Sequence, residues 1–168
     1  DGIDGQSIIF LIIIFTYLSL KSPIFIFYLF TILILIFILF LNLTGKVFMG
    51  DNGIYFIGAI LSASLIYEYN EFGSFEFADE IFILLMLPGY DLLRLSITRL
   101  LKGKNPFYGD RNHIHHLIIN KFSLTKTNLI LAILNIVPIF LFSFIGLNFF
   151  LILLLFTFVY IFIIFRLS

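Results

Sequence analysis

Every histidine of this chain falls within the four positions His113-Ile114-His115-His116. They close the polar stretch Asn105-Pro106-Phe107-Tyr108-Gly109-Asp110-Arg111-Asn112, in a chain that is 61% hydrophobic. Imidazoles beside Asp and Arg can hold a metal, a haem or a phosphate. Zinc asks for a third ligand on the same face, which the spacing does not supply, and haem ligands sit inside helix bundles. Phosphate suits the residues best, with Arg111, Lys102 and Lys104 close in sequence. The competing reading is a solvated loop. The spacing predicts a short helix through Asn120, capped by Asp110. His113, His116 and Asn120 would share one stripe, and Ile114, Leu117, Ile118 and Phe122 an apolar stripe suited to a membrane interface.

Three further motifs carry groups able to do chemistry. Asp1-Gly2-Ile3-Asp4-Gly5 sets two carboxylates three apart, able to face one way on a helical turn and bind a metal, a base or a sugar. Its alternative is a frayed polar terminus. Gly50-Asp51-Asn52-Gly53 precedes an apolar block, so Asp51 is either a Mg²⁺ ligand beside a helix start or, like Asn52, a plain N-cap. Pro88-Gly89-Tyr90-Asp91-Leu92-Leu93-Arg94 puts an acid and a base three apart inside an apolar block, with Pro88 expected to kink the helix. Such charges must pair with each other or face an aqueous cavity.

The elements that position these motifs are membrane helices. Only 12% of the 168 residues are charged, and Ile, Leu and Phe come in long runs. These runs are too continuous for the alternation of an outer-membrane barrel. A bilayer core needs roughly 20 helical residues per crossing, and six blocks approach that length: Ile8–Leu20, Ile24–Leu43, Ile54–Tyr69, Ile81–Leu101, Leu129–Ile145 and Phe149–Phe165. The last two read as a hairpin around Gly146-Leu147-Asn148. The expected fold is thus all-α, a polytopic membrane bundle of about six transmembrane helices. If they alternate, one side collects Lys46, Lys102, Lys104, Arg111, Lys121, Lys126 and Arg166, with Arg99 at its edge. The other collects the Lys21-Ser22-Pro23 turn and a loop holding Glu68, Glu71, Glu76, Asp79 and Glu80. The basic side is expected to be cytoplasmic. Asp1, Asp4, Asp51 and the histidines then share that face. The chain has no cysteine, which excludes disulfides and thiolate chemistry.

One order of motifs runs through the chain: Asp1-Gly2-Ile3-Asp4-Gly5, Phe48-Met49-Gly50-Asp51-Asn52-Gly53, Pro88 with Asp91, Pro106-Phe107, Asp110-Arg111, and His113-Ile114-His115-His116. This order resembles the polyprenyl-phosphate N-acetylhexosamine-1-phosphate transferase family. The His-Ile-His-His form looks closer to its UDP-N-acetylglucosamine branch than to the phospho-N-acetylmuramoyl-pentapeptide branch. The resemblance implies a multi-pass enzyme of the bacterial inner membrane with cytoplasmic active-site loops. It would transfer a sugar 1-phosphate from a UDP-N-acetylhexosamine to a polyprenyl phosphate, release UMP and so initiate a lipid-linked envelope glycan. It further implies Mg²⁺, with Mn²⁺ as substitute, held by Asp51; Asp1, Asp4 and His116 as catalytic; and Arg111, His113, His115 and His116 on the nucleotide-sugar. Membrane lipid and a second copy of the chain are the implied partners, and nucleic acid is not one. Two departures stand out: no Asp-Asp pair occurs, and Ile54 follows Gly53 where the family usually has Ser. Residues 1–168 therefore look like the C-terminal portion of a single membrane-embedded transferase domain. A transporter component, with Asp91 and Arg94 along its pathway, and a non-catalytic membrane fragment are the alternatives.

Overall fold

The computed structural model describes residues 3–106 and 112–167. Every regular element among them is helical, which bears out the all-α expectation. The chain forms two compact units, Asp1–Ile81 and Phe82–Ser168.

In the first unit, α1 (Gln6–Lys21) and α2 (Phe25–Leu43) form an antiparallel hairpin. The ring of Pro23 bars the helical conformation at the residue before it, so Ser22 turns extended (φ −88°, ψ 141°) and α1 stops. Ile8, Leu11, Phe15 and Leu18 of α1 are buried at helical spacing, as are Tyr28, Ile32 and Leu35 of α2. The rings of Phe15 and Tyr28 meet at 6.0 Å. On α2, Phe30, Leu33, Phe37 and Phe40 remain exposed. Lipid is as apolar as these side chains, so close packing and polar pairs, rather than the hydrophobic effect, specify the hairpin.

Those polar pairs sit at its two ends. At one, the buried Asn42 accepts from the Gly5 N–H (2.7 Å) and donates to the Val47 carbonyl (3.1 Å). At the other, α3 (Gly50–Tyr67) runs into a π-helical turn, Glu68–Phe72. Glu68 is fully buried and accepts from Ser22 Oγ (2.5 Å), Tyr28 Oη (2.7 Å) and Ser74 Oγ (2.5 Å). The buried Glu80 pairs with Lys21 and accepts from the Tyr17 hydroxyl. The Lys21-Ser22-Pro23 turn and the 68–80 loop therefore meet, as expected of segments on one side.

Helix α4 (Ala78–Leu84) crosses the junction of the units, and α5 (Met86–Leu101) leaves it at a 74° bend. Proline explains the break, but upstream of itself. Pro88 has no N–H for the Leu84 carbonyl and its ring collides with it, so α4 ends at Leu84 and Pro88 lies in the first turn of α5, where missing donors are tolerated. The second unit continues with α6 (Ile114–Ile119), α7 (Leu124–Ser143) and α8 (Phe149–Leu167). Gly146, at φ 72°, makes the left-handed turn of the α7–α8 hairpin, and Asn148 Oδ1 accepts from the Phe150 N–H (2.8 Å) at the start of α8.

Helices α2, α7 and α8 are long and apolar enough to cross a membrane, and α4 with α5 makes a fourth if the bent pair is one span. Helix α1 is apolar but has only 16 residues. Helix α3 opens on the polar Gly50-Asp51-Asn52-Gly53. Among the described residues there are thus three or four spans of full length where six blocks were expected, and the chain is a membrane protein on that ground.

Candidate functional site

Asp91 is the hub of the second unit. Its carboxylate is buried among four donors drawn from three separate stretches of the sequence. Arg94 Nη2 donates to Oδ1 (2.8 Å), as do Tyr160 Oη (2.8 Å) and the Ile114 N–H (3.1 Å). His113 Nδ1 lies 2.8 Å from Oδ2. Arg94 also donates through Nε to Tyr160 Oη (3.0 Å) and through Nη2 to the Asn112 carbonyl (2.5 Å). One helical turn on, the buried Arg99 donates to the Pro106 carbonyl (2.6 Å). The Asp91–Arg94 pairing anticipated from their spacing is present. Its extension to His113, Asn112 and Tyr160 was missed. The available signal was that a buried intramembrane acid must find donors.

The three imidazoles gather as the sequence suggested, though on a different frame. Helix α6 starts at Ile114, so His113 precedes it with extended ψ (148°) and does not share a stripe with His116. His113 holds the cap position of this helix, and Asp91 reaches its start from α5, its Oδ1 accepting from the Ile114 N–H. Asp110 and Arg111 lie outside the described residues. The His113 and His115 rings stack nearly parallel (5.4 Å, 8°), and His115 meets His116 at 4.3 Å. Burial, with the charges of His116 and His113, pushes the His115 imidazole down to about 4 from its usual 6.5. Its Nε2 is buried with no hydrogen-bond partner among the described residues. The apolar stripe is corrected in part: Ile114 and Ile118 are buried in the protein, only 2% and 1% exposed, while Leu117 is half-buried and Phe122 exposed.

The acidic motifs belong to the first unit. Asp1 lies outside the described residues. Asp4 is exposed in the turn ahead of α1, and its expected pairing with Asp1 falls outside the described residues. Gly5 supplies a left-handed turn (φ 82°) into α1 and a backbone N–H to Asn42. Through Asn42 the Asp4-Gly5 segment and the segment leading from Val47 to Asp51 are held at the same end of the hairpin. Asp51 is exposed in the first turn of α3, and Met49 holds the cap position. Among the described residues no three His, Asp or Glu side chains could hold a metal alone. One exposed carboxylate fits Mg²⁺, which keeps waters and takes one or two carboxylates plus phosphate oxygens. It does not fit a structural zinc, which needs four protein ligands.

Fold and site together define a membrane protein with a histidine cluster ordered by a buried acid. Sequence comparison narrows the class. The chain is 33% identical to the undecaprenyl-phosphate alpha-N-acetylglucosaminyl 1-phosphate transferase of Thermotoga maritima over 105 residues, 62% of this chain and 33% of that relative. Over 74 residues it is 35% and 34% identical to the proteins of the same name from Pasteurella multocida and Haemophilus influenzae, covering 44% of this chain and 21% of each relative. The chain thus spans about a third or less of the curated relatives it matches. No protein-family profile and no solved structure matches it. The order of motifs resembles that of the polyprenyl-phosphate N-acetylhexosamine-1-phosphate transferases, and these relatives carry names consistent with that family.

Proposed function

We propose that this chain forms part of an enzyme that transfers N-acetylglucosamine 1-phosphate from UDP-N-acetylglucosamine to a polyprenyl phosphate, releasing UMP. The similarity over 105 residues to transferases named for that acceptor and that sugar carries the reading. The clustered imidazoles support it, since a diphosphate donor and a phosphate acceptor both need donors and cations around them. In this reading the loops bearing Asp4, Asp51 and the histidines lie on the cytoplasmic face of a bacterial inner membrane, in a bundle of about six crossings that pairs with a second copy of itself. His113, His115, His116 and Arg111 bind the diphosphate, with His116 among the catalytic groups beside Asp1 and Asp4. Asp51 holds Mg²⁺, or Mn²⁺ in its place. When bound, the ion neutralises phosphate charge and polarises phosphorus.

The transporter reading loses its main support, because Asp91 and Arg94 are occupied with each other and with His113, Asn112 and Tyr160. The deciding experiment expresses the protein from its native coding context, reconstitutes it in nanodiscs and measures UMP release. Turnover that needs the nucleotide-sugar, the polyprenyl phosphate and the divalent ion together is expected. A folded preparation that releases no UMP, or releases it equally without the lipid, overturns the proposal.

A further inference from the structure

The proposed function leaves open what fixes the proton on His113. Asp91 Oδ1 already receives the Arg94 guanidinium, the Tyr160 hydroxyl and the Ile114 N–H, and the guanidinium supplies its counter-charge. A carboxylate so placed accepts and does not donate. The contact at 2.8 Å between Oδ2 and His113 Nδ1 is therefore made by a proton on Nδ1. When neutral, the ring then presents Nε2 as a bare acceptor. Nε2 has no partner among the described residues, and the His113 side chain keeps 36% of its surface exposed. Its neighbours also oppose a ring flip. His115 stacks on one face at 5.4 Å, and the Asn112 carbonyl is held by the same guanidinium that grips Asp91.

We infer that Asp91 is a positioning residue that locks His113 in the Nδ1–H form, so that Nε2, at the edge of the diphosphate site, accepts a proton from the protonated phosphate oxygen of the incoming acceptor. The inference rests on the proposed phosphotransfer reading for its substrate. The Asp91–His113 geometry itself stands apart from that reading. A phosphate monoester has its second pKa near 6, so a fraction still carries a P–O–H at neutral pH. The proton passes to Nε2 and the O–H electron pair stays on the phosphate oxygen. A monoanion beside a neutral ring becomes a dianion beside an imidazolium, with Asp91 compensating the new positive charge. The freed oxygen is the better nucleophile, and Arg94 and Tyr160 act only through Asp91.

The test begins with the nitrogen spectrum of ¹⁵N-histidine-labelled protein in nanodiscs, at a pH where His113 is neutral, its signal assigned by loss in His113→Gln. Protonated Nδ1 and bare Nε2 are expected. A proton on Nε2 in the unaltered protein overturns the inference, whatever any variant does. In Asp91→Asn the amide can donate to Nδ1, and the proton is expected to move to Nε2. In Tyr160→Phe, which leaves the Asp91–His113 contact in place, the original form is expected to persist. The same pair separates the roles in turnover. Asp91→Asn should lower kcat by about 10²–10⁴-fold, the range of positioned acid–base groups, with KM for the nucleotide-sugar little changed. Tyr160→Phe should lower kcat much less. A raised KM at unchanged kcat for Asp91→Asn also overturns the inference. If the unaltered protein shows the Nδ1–H form but releases no UMP, the phosphotransfer reading fails while the assignment of the proton stands.

Discussion

Replacing Asp91 by Ala strips one acceptor from four donors at once. The Asp91 and Arg94 side chains are 8% and 18% exposed, so water does little to compensate either. The change leaves one buried charge unpaired, and among the described residues the Arg94 guanidinium keeps Tyr160 Oη and the Asn112 carbonyl. Breaking a buried ion pair from one side costs about 3–5 kcal/mol, a large part of the roughly 5–15 kcal/mol that hold a domain folded. The Tyr160, Ile114 and His113 donors lose a partner as well. The overall loss should therefore lie in the upper part of that interval. The Arg94→Ala change should cost a similar amount for the converse reason. Together the two changes should cost less than their sum, since the second leaves no charge behind, with a coupling of about 0.5–3 kcal/mol. Denaturant unfolding of the four proteins in one detergent, followed by tyrosine fluorescence, reads all three numbers. A loss below about 1 kcal/mol for Asp91→Ala, or strict additivity in the double variant, would refute the claim that this network holds the second unit together.

Four other outcomes are expected. The folded His115 ring titrates near 4 and an unfolded one near 6.5, so between those values the unfolded chain binds more protons. Stability should be full above about pH 6.5 and fall as pH drops toward 4, and His115→Gln should flatten that slope in unfolding curves. Asn42→Ala orphans the Gly5 N–H and the Val47 carbonyl and should cost about 1–3 kcal/mol by thermal unfolding, with faster proteolysis ahead of α1. Asp51→Asn should abolish divalent-ion-dependent UMP release, and His116→Ala should reduce it far more than Lys46→Ala. Unchanged turnover in Asp51→Asn removes the metal role, and equal small effects of the other two argue against a histidine phosphate site.

The apolar runs behind α2 and α8 were legible because nothing but lipid-compatible side chains fills them, and both were bounded within two residues. Helix α7 begins five residues ahead of the expected block, at Leu124. Lys126 and Thr127 read as a loop, yet Thr127 donates back to the Ser123 carbonyl and is buried. The Pro88 kink was anticipated, but local steric logic places the break four residues back, at the carbonyl the ring obstructs. The gathering of the histidines was evident from their spacing alone. Their frame was not, because Asp91 reaches His113 across 22 positions and no periodicity records such a contact. The acids hidden at Glu68 and Glu80 were likewise counted only as charges, since their hydroxyl and lysine partners come from other helices.

The bend at Leu85 bears on the bilayer itself. At 1.5 Å per residue, α5 is about 24 Å long and α4 about 10 Å. Turned through 74°, α4 adds only about 3 Å along the axis of α5, leaving the pair a few ångströms short of a hydrocarbon layer about 30 Å deep. Taken as one crossing, the pair makes α5 the strut and lays α4 almost flat along a leaflet. Lipid beside this crossing must thin to meet it, so the protein should settle most comfortably in membranes of shorter acyl chains.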